Sequence, residues 1–264
     1  MAETAPTQVG SVARALELVE LVVSGSTEGM PLSEVAKAVG GSKSAVLATL
    51  RTLVDFGYLR VVEPGPKYLP GMMLIRLGDL AAAHDPLIAV ARPILAQLSE
   101  KSGLTIRVAR NDHGFPIFID RVDGPGFVRF YTPLGVRELP HVSSAGKAIL
   151  AELSDDEIKL VAKECGLVSR TKNSITSFAG LRKEIERIRE VGFATDDEED
   201  AQGIFCVGAA FFDHFGKCLG AISATGVKTD LTDEQVTKLG KLVLKHADQL
   251  TKELHGRKSV RREK

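Results

Sequence analysis

Apolar residues recur at three- and four-residue steps from Val9 through Val12, Leu16, Val19 and Val22 or Val23, which predicts a helix over 9–23 with that stripe buried. The polar run SGSTEGMP ends it as a loop. LSEVAKAV then places Leu32, Val35, Ala36 and Val39 on one side, and Gly40 and Gly41 stop this second short helix. Ser42 is suited to cap a third helix over 43–56, closed by Gly57. YLRVV and KYLPG flank the turn EPGP and read as a hairpin. Helix, helix, turn, helix, hairpin is the order of a winged helix-turn-helix.

Residues 72–84 predict a linker helix, and LIAVARPILAQLSEKSG a further helix kinked or broken at Pro93. From 104 onward, apolar strands (TIRVA, PIFIDRV and FVRFY) alternate with helices, two of which carry capping boxes at Ser154/Glu157 and Thr232/Gln235. The second half is therefore an α+β or α/β ligand-binding domain. Within it, Leu219, Ala221, Ser223 and Thr225 share one strand face, and Ile204, Cys206, Gly208 and Ala210 share another. Residues this small either admit a helix at close range or leave a cavity.

On the third helix Val46, Leu50 and Leu53 face a core, while Ser44, Leu47, Ala48 and Arg51 follow i, i+3, i+4, i+7 on another side, with Lys43 at its N-terminal end. That second face is either solvated surface or the face that enters a major groove. In the latter case Lys43 meets phosphate, Ser44 and Arg51 reach base edges or backbone, and Leu47 touches a thymine methyl.

At 264 residues, with 44% apolar and 26% charged residues, two globular domains are expected rather than a disordered or fibrous chain. No apolar run reaches a membrane span and the first ten residues lack the features of a secretory leader, so a cytoplasmic protein without membrane attachment is expected. Cys165, Cys206 and Cys218 fit neither a disulfide framework nor a zinc site. Charge is balanced, 34 basic against 34 acidic residues, and residues 1–71 hold six basic against seven acidic side chains, so one winged helix alone is a weak DNA binder. The acidic run 196–200 reads as a solvated strand-end loop and the end of the chain, 257–264, as a solvated basic tail. GxSxG, HExxH, GxGxxG and Walker motifs are missing and the six histidines are scattered, so neither catalysis, a metal nor a cofactor is expected.

The runs VGSVARALELVELV, LSEVAKAVGGSKSAVLATLRTLVDFGYL and YLPGMMLIRLG resemble the winged helix-turn-helix of the IclR family of bacterial transcriptional regulators. RVDGPGFVRFYTPLGVRELP, SSAGKAILAEL, LRKEIERIREVGFATDDEED and GIFCVGAAFFDHFGKCLGAISATG resemble that family's effector-binding domain, in order. The resemblance implies an α+β protein with a DNA-binding domain over 8–71, a linker helix over 72–85, a GAF-like effector domain with a central antiparallel sheet over 86–256, and the tail. It implies contacts to double-stranded operator DNA through Ser42, Lys43, Ser44, Leu47, Ala48 and Arg51 and, from the wing, Lys67. It implies an effector pocket of Phe127, Phe130, Ser144, Ala145, Asp196, Ile204, Cys206, Ser223 and Thr225. The function expected is a homodimeric or homotetrameric regulator, a repressor of a catabolic operon responding to a small carboxylate or aromatic acid derivative. An enzyme of the same shape and an architectural DNA binder without a ligand are the alternatives.

Overall fold

A computed structural model describes residues 9–130 and 133–258. The chain divides between His84 and Asp85 into two compact units.

The first contains α1 (Gly10–Val23), β1 (Met30–Pro31), α2 (Leu32–Val39), α3 (Lys43–Asp55), β2 (Leu59–Val62), β3 (Lys67–Pro70) and α4 (Met72–Ala83). Leu18, Val22, Val35, Val46, Leu50, Leu53, Leu59 and Tyr68 close its core. Ser42 caps α3, its Oγ accepting from Ala45 N at 3.3 Å. The hairpin β2–β3 gains a third strand, β1, within the segment whose polar pattern predicts a loop, with Met30 opposite Tyr68.

The buried side of α1 differs from expectation. Val9, Val12, Leu16 and Val23 are exposed, and Leu18 and Val22 are buried. This helix carries apolar residues on two sides and so small a core receives only one of them. α4 buries none of its residues and exposes Met72, Ile75, Leu77 and Leu80.

The second unit runs α5 (Pro86–Ser102), β4 (Thr105–Asp112), β5 (Phe115–Val122), α6 (Ser144–Leu150), α7 (Asp155–Cys165), α8 (Phe178–Val191), β6 (Ala194–Asp197), β7 (Ile204–Phe212), β8 (Cys218–Val227) and α9 (Asp233–Glu253). Its sheet, in the order β5-β4-β8-β7-β6, is antiparallel throughout. One face packs on α5 and α9 through Leu95, Leu98, Phe205, Phe211, Val243 and Leu250. The other face packs on α6, α7 and α8 through Phe118, Ile149, Leu181, Ala210 and Ala221. Both capping boxes form.

Two expectations are corrected here and one is narrowed. α5 runs unbroken through Pro93, so of the kink or break expected there the break does not occur; Pro93 and Ala89, whose carbonyl loses its helical partner, both lie on the exposed side. Residues 127–130 are irregular rather than a strand; Tyr131, the end of FVRFY, lies outside the described residues, as do 259–264 of the basic tail. Leu219 packs on the α5/α9 side, away from Ala221, because a register irregularity between Phe211 and Phe212 shifts the phase of the pairing there.

Candidate functional site

Two surfaces carry chemistry. The first is α3. Lys43, Ser44, Ala48 and Arg51 are exposed and Leu47 is half-buried, opposite the buried Val46, Leu50 and Leu53. The turn before α3 needs φ of 76° at Gly40 and 93° at Gly41, a backbone open to glycine. A Cβ at Gly41 would sit 3.3 Å from Arg14 Nη1, so the Arg14 guanidinium lies beside the entry to α3. That cation comes from α1 and escapes a reading of α3 alone. Lys67 is half-buried at the first residue of β3, and exposed Arg60 donates from Nε to Pro70 O at 3.3 Å.

The second is a cavity of about 520 Å³ on the α6 side of the larger sheet. Phe130, Asp196, Ile204, Cys206 and Thr225 line it. Asp196, Cys206, Thr225 and Thr105 form one continuous row across four strands. The next row behaves differently. Arg107, Ser223, Gly208 and Ala194 are in register there, and Ser223 is covered by α6. A Cβ on Gly208 would meet Ser144 O at 2.6 Å, so α6 lies directly on β7. The small residues thus serve both purposes, helix approach at Gly208, Ala210 and Ala221 and cavity floor at Cys206 and Thr225.

Four expected residues are not brought to the cavity wall. Ser144, Ala145 and Ser223 are enclosed between helix and sheet, where Ser144 Oγ and Ser223 Oγ are 3.1 Å apart. Ser143, one residue earlier, takes the wall position. Phe127 is fully exposed and borders a shallower hollow with Val128 and Val227.

The cavity also holds four arginines that the sequence pattern does not point to. Arg107, Arg129, Arg137 and Arg170 line the cavity with Glu138 and Asp200. Arg107 interrupts the apolar strand TIRVA, which is a local signal, but its place opposite Ser223 depends on a pairing between strands over a hundred residues apart. The Arg107 side chain is 8% exposed, with its guanidinium 3.8 Å over the Phe118 ring and Nη1 3.4 Å from Glu138 Oε1.

The run 196–200 is not a solvated loop. Asp196 and Glu199 are buried, and Asp196 Oδ1 accepts from Glu199 N at 2.8 Å. Burial pushes the Asp196 carboxyl up to about 6 and the Glu199 carboxyl up to about 7, against the pull of Lys147. Lys147 is fully buried on α6, pairs with Glu199 and lies 3.5 Å from Glu184 Oε1. A cation at this point makes burial of the acids tolerable. Burial drives the Cys206 thiol to about 12; it stays a neutral thiol whose Sγ donates to Thr225 Oγ1 at 3.4 Å. Among the described residues, no group of three or more His, Cys, Asp or Glu side chains is arranged to hold a metal ion. Nor is any helix among them long and apolar enough to cross a membrane.

A winged helix-turn-helix followed by a cavity-bearing α+β unit is the architecture of a DNA-binding transcriptional regulator. The chain belongs to the IclR family: residues 11–63 match the IclR helix-turn-helix domain and residues 80–252 match the bacterial transcriptional regulator IclR C-terminal domain. It is 33% identical to the transcriptional repressor IclR of Escherichia coli K12 over 253 residues, 94% of this chain and 92% of that one. The crystal structure of the Thermotoga maritima IclR superposes with a TM-score of 0.78 at 27% identity, over 93% of this chain and 98% of that one. An IclR homolog from Microbacterium hydrocarbonoxydans, crystallised with 4-hydroxybenzoate, shares the fold with a TM-score of 0.77 at 17% identity, covering 93% of this chain and 99% of that one. The matched families and relatives are transcriptional regulators, not enzymes.

Proposed function

We infer that this regulator is a repressor whose hold on operator DNA is changed by a small organic acid bound in the cavity of its second, GAF-like unit. The observation that carries this reading is the buried Arg107 in a cavity of about 520 Å³ beside three further arginines. A guanidinium recognises a carboxylate by geometry as well as charge, and its desolvation strengthens the attraction. Phe130, Val136 and Ile204 offer apolar surface for the rest of the ligand. The ligand bound by the Microbacterium homolog, an aromatic acid, is of the same chemical class.

On the DNA side, α3 enters the major groove with Ser42, Lys43, Ser44, Leu47, Ala48 and Arg51, while Lys67 and Arg60 on the hairpin and Arg14 beside the turn reach phosphates. Few phosphate contacts per copy require at least two copies on a two-fold site. The exposed apolar residues of α1 and α4 supply the surface for a homodimer, and pairing of dimers gives a homotetramer. Effector and operator are coupled through a difference in effector affinity between the DNA-competent and DNA-incompetent states. No cofactor or metal is required.

The test is a screen of small carboxylic acids for stabilisation of the protein in thermal melts, followed by release of a labelled DNA fragment taken from upstream of its own gene. Stabilisation and release by the same acid support the reading; stabilisation by neutral analogues alone contradicts it.

A further inference from the structure

Arg107 and Glu138 meet inside the cavity, and they are held very differently. Arg107 sits mid-strand on β4, its guanidinium stacked on Phe118 and its side chain 8% exposed. Glu138 belongs to the segment between β5 and α6. Its backbone is fixed, since Glu138 N donates to Pro116 O at 3.0 Å, but its side chain is 23% exposed. Arg107 Nη1 and Glu138 Oε1 are 3.4 Å apart, longer than the roughly 2.7–2.9 Å of a full charge-assisted hydrogen bond. Asp196 of β6 and Asp200 beyond it also face Glu138, and burial together with their charge pushes its carboxyl above the usual range despite Arg107. The cation is therefore fixed and desolvated, while the carboxylate opposite it is loosely held, repelled by two neighbours and within reach of water.

We propose that Glu138 is a tethered competitor for the carboxylate of the effector: an organic acid entering the cavity docks on Arg107 and turns the Glu138 side chain out to solvent. This rests on reading the cavity as the effector site. The exchange replaces one carboxylate by another at Arg107, so the charge opposite the buried guanidinium is kept and Glu138 regains hydration. An uncharged analogue of the same shape cannot make the exchange, because it would turn Glu138 away and leave Arg107 facing a neutral group. Competition also weakens the apparent affinity by the fraction of time Glu138 holds the site. A sensor built this way answers to metabolite accumulation rather than to traces.

The experiment is isothermal titration calorimetry of acetate, pyruvate and benzoate, with benzamide as the neutral comparison, into the full-length wild type, Glu138→Gln and the double variant Arg107→Gln/Glu138→Gln. Glu138→Ala serves in place of Glu138→Gln if the amide is not tolerated. The expected result is that Glu138→Gln binds at least one carboxylate about five-fold or more tightly than wild type, that the double variant loses the gain, and that benzamide shows none. A merely structural role for Glu138 would lower affinity, not raise it. Equal or weaker carboxylate binding by the variant, or an equal gain for benzamide, overturns the competition and leaves the cavity as a binding site. Carboxylates that bind none of the three proteins overturn the cavity reading and this inference together.

Discussion

The hydroxyls of Ser144 on α6 and Ser223 on β8 lie 3.1 Å apart with no access to solvent, and they mark the line where the helix stops covering the sheet. One row further along, Cys206 and Thr225 face open space. Ser223→Ala leaves the Ser144 hydroxyl buried without this partner and is expected to cost about 1–3 kcal/mol. Ser144→Ala/Ser223→Ala removes both groups and should cost less than the sum of the single changes. Thermal melts of the three variants measure this; strict additivity would show that the two hydroxyls act independently.

The buried acids predict a pH dependence. Glu199 has its folded pKa raised from about 4.5 to about 7, so the folded state holds this proton more tightly than the unfolded state does. Its contribution to stability is therefore lost as pH rises through that window. Glu199→Gln cannot ionise, so its melting temperature should improve relative to wild type between pH 5 and pH 7. An offset that stays constant with pH would show that Glu199 does not titrate there.

The two cations of α3 are expected to act differently on DNA. Arg51→Ala should weaken operator binding by about 1–3 kcal/mol and relax base preference, while Lys43→Ala should weaken all sequences alike and reduce the salt slope by about one. Equal losses on operator and random DNA for both variants would place Arg51 on phosphate.

Ile75 on α4 is 66% exposed in a helix with no buried residue. If that face pairs with a second copy, Ile75→Glu puts a charge into an apolar contact and should shift the protein from dimer or larger toward monomer at micromolar concentration. Light scattering that shows an unchanged mass would remove α4 from the interface.

Much of the fold was legible because local rules and tertiary packing agree. The apolar steps at Val46, Leu50 and Leu53, the Ser42 cap and the capping boxes at Ser154 and Thr232 all lie where the sequence reading put them. Where two local answers were equally good, packing chose. α1 carries two apolar sides, and only the core could select Leu18 over Leu16. The cavity was half legible. Cys206 and Thr225 were visible among small residues on two separate strand faces, but their pairing across β7 and β8 and the contributions of Arg107 and Arg170 depend on strand order and loop return. Asp196 and Glu199 looked like surface charge because their counter-ion, Lys147, lies about fifty residues earlier in the chain.

Occupancy of the cavity is expected to change the hold on DNA. The most direct measurement is operator affinity by fluorescence anisotropy, with and without a stabilising carboxylic acid, for the wild type and for Ile204→Trp. Ile204 lines the cavity at the half-buried start of β7, so the larger ring fills the space with little strain on the core. The acid is expected to shift wild-type affinity by about five- to 150-fold, and Ile204→Trp to bind operator as the wild type does without responding to the acid. An unaltered response in Ile204→Trp, or wild-type DNA affinity indifferent to an acid that demonstrably binds, would contradict that expectation.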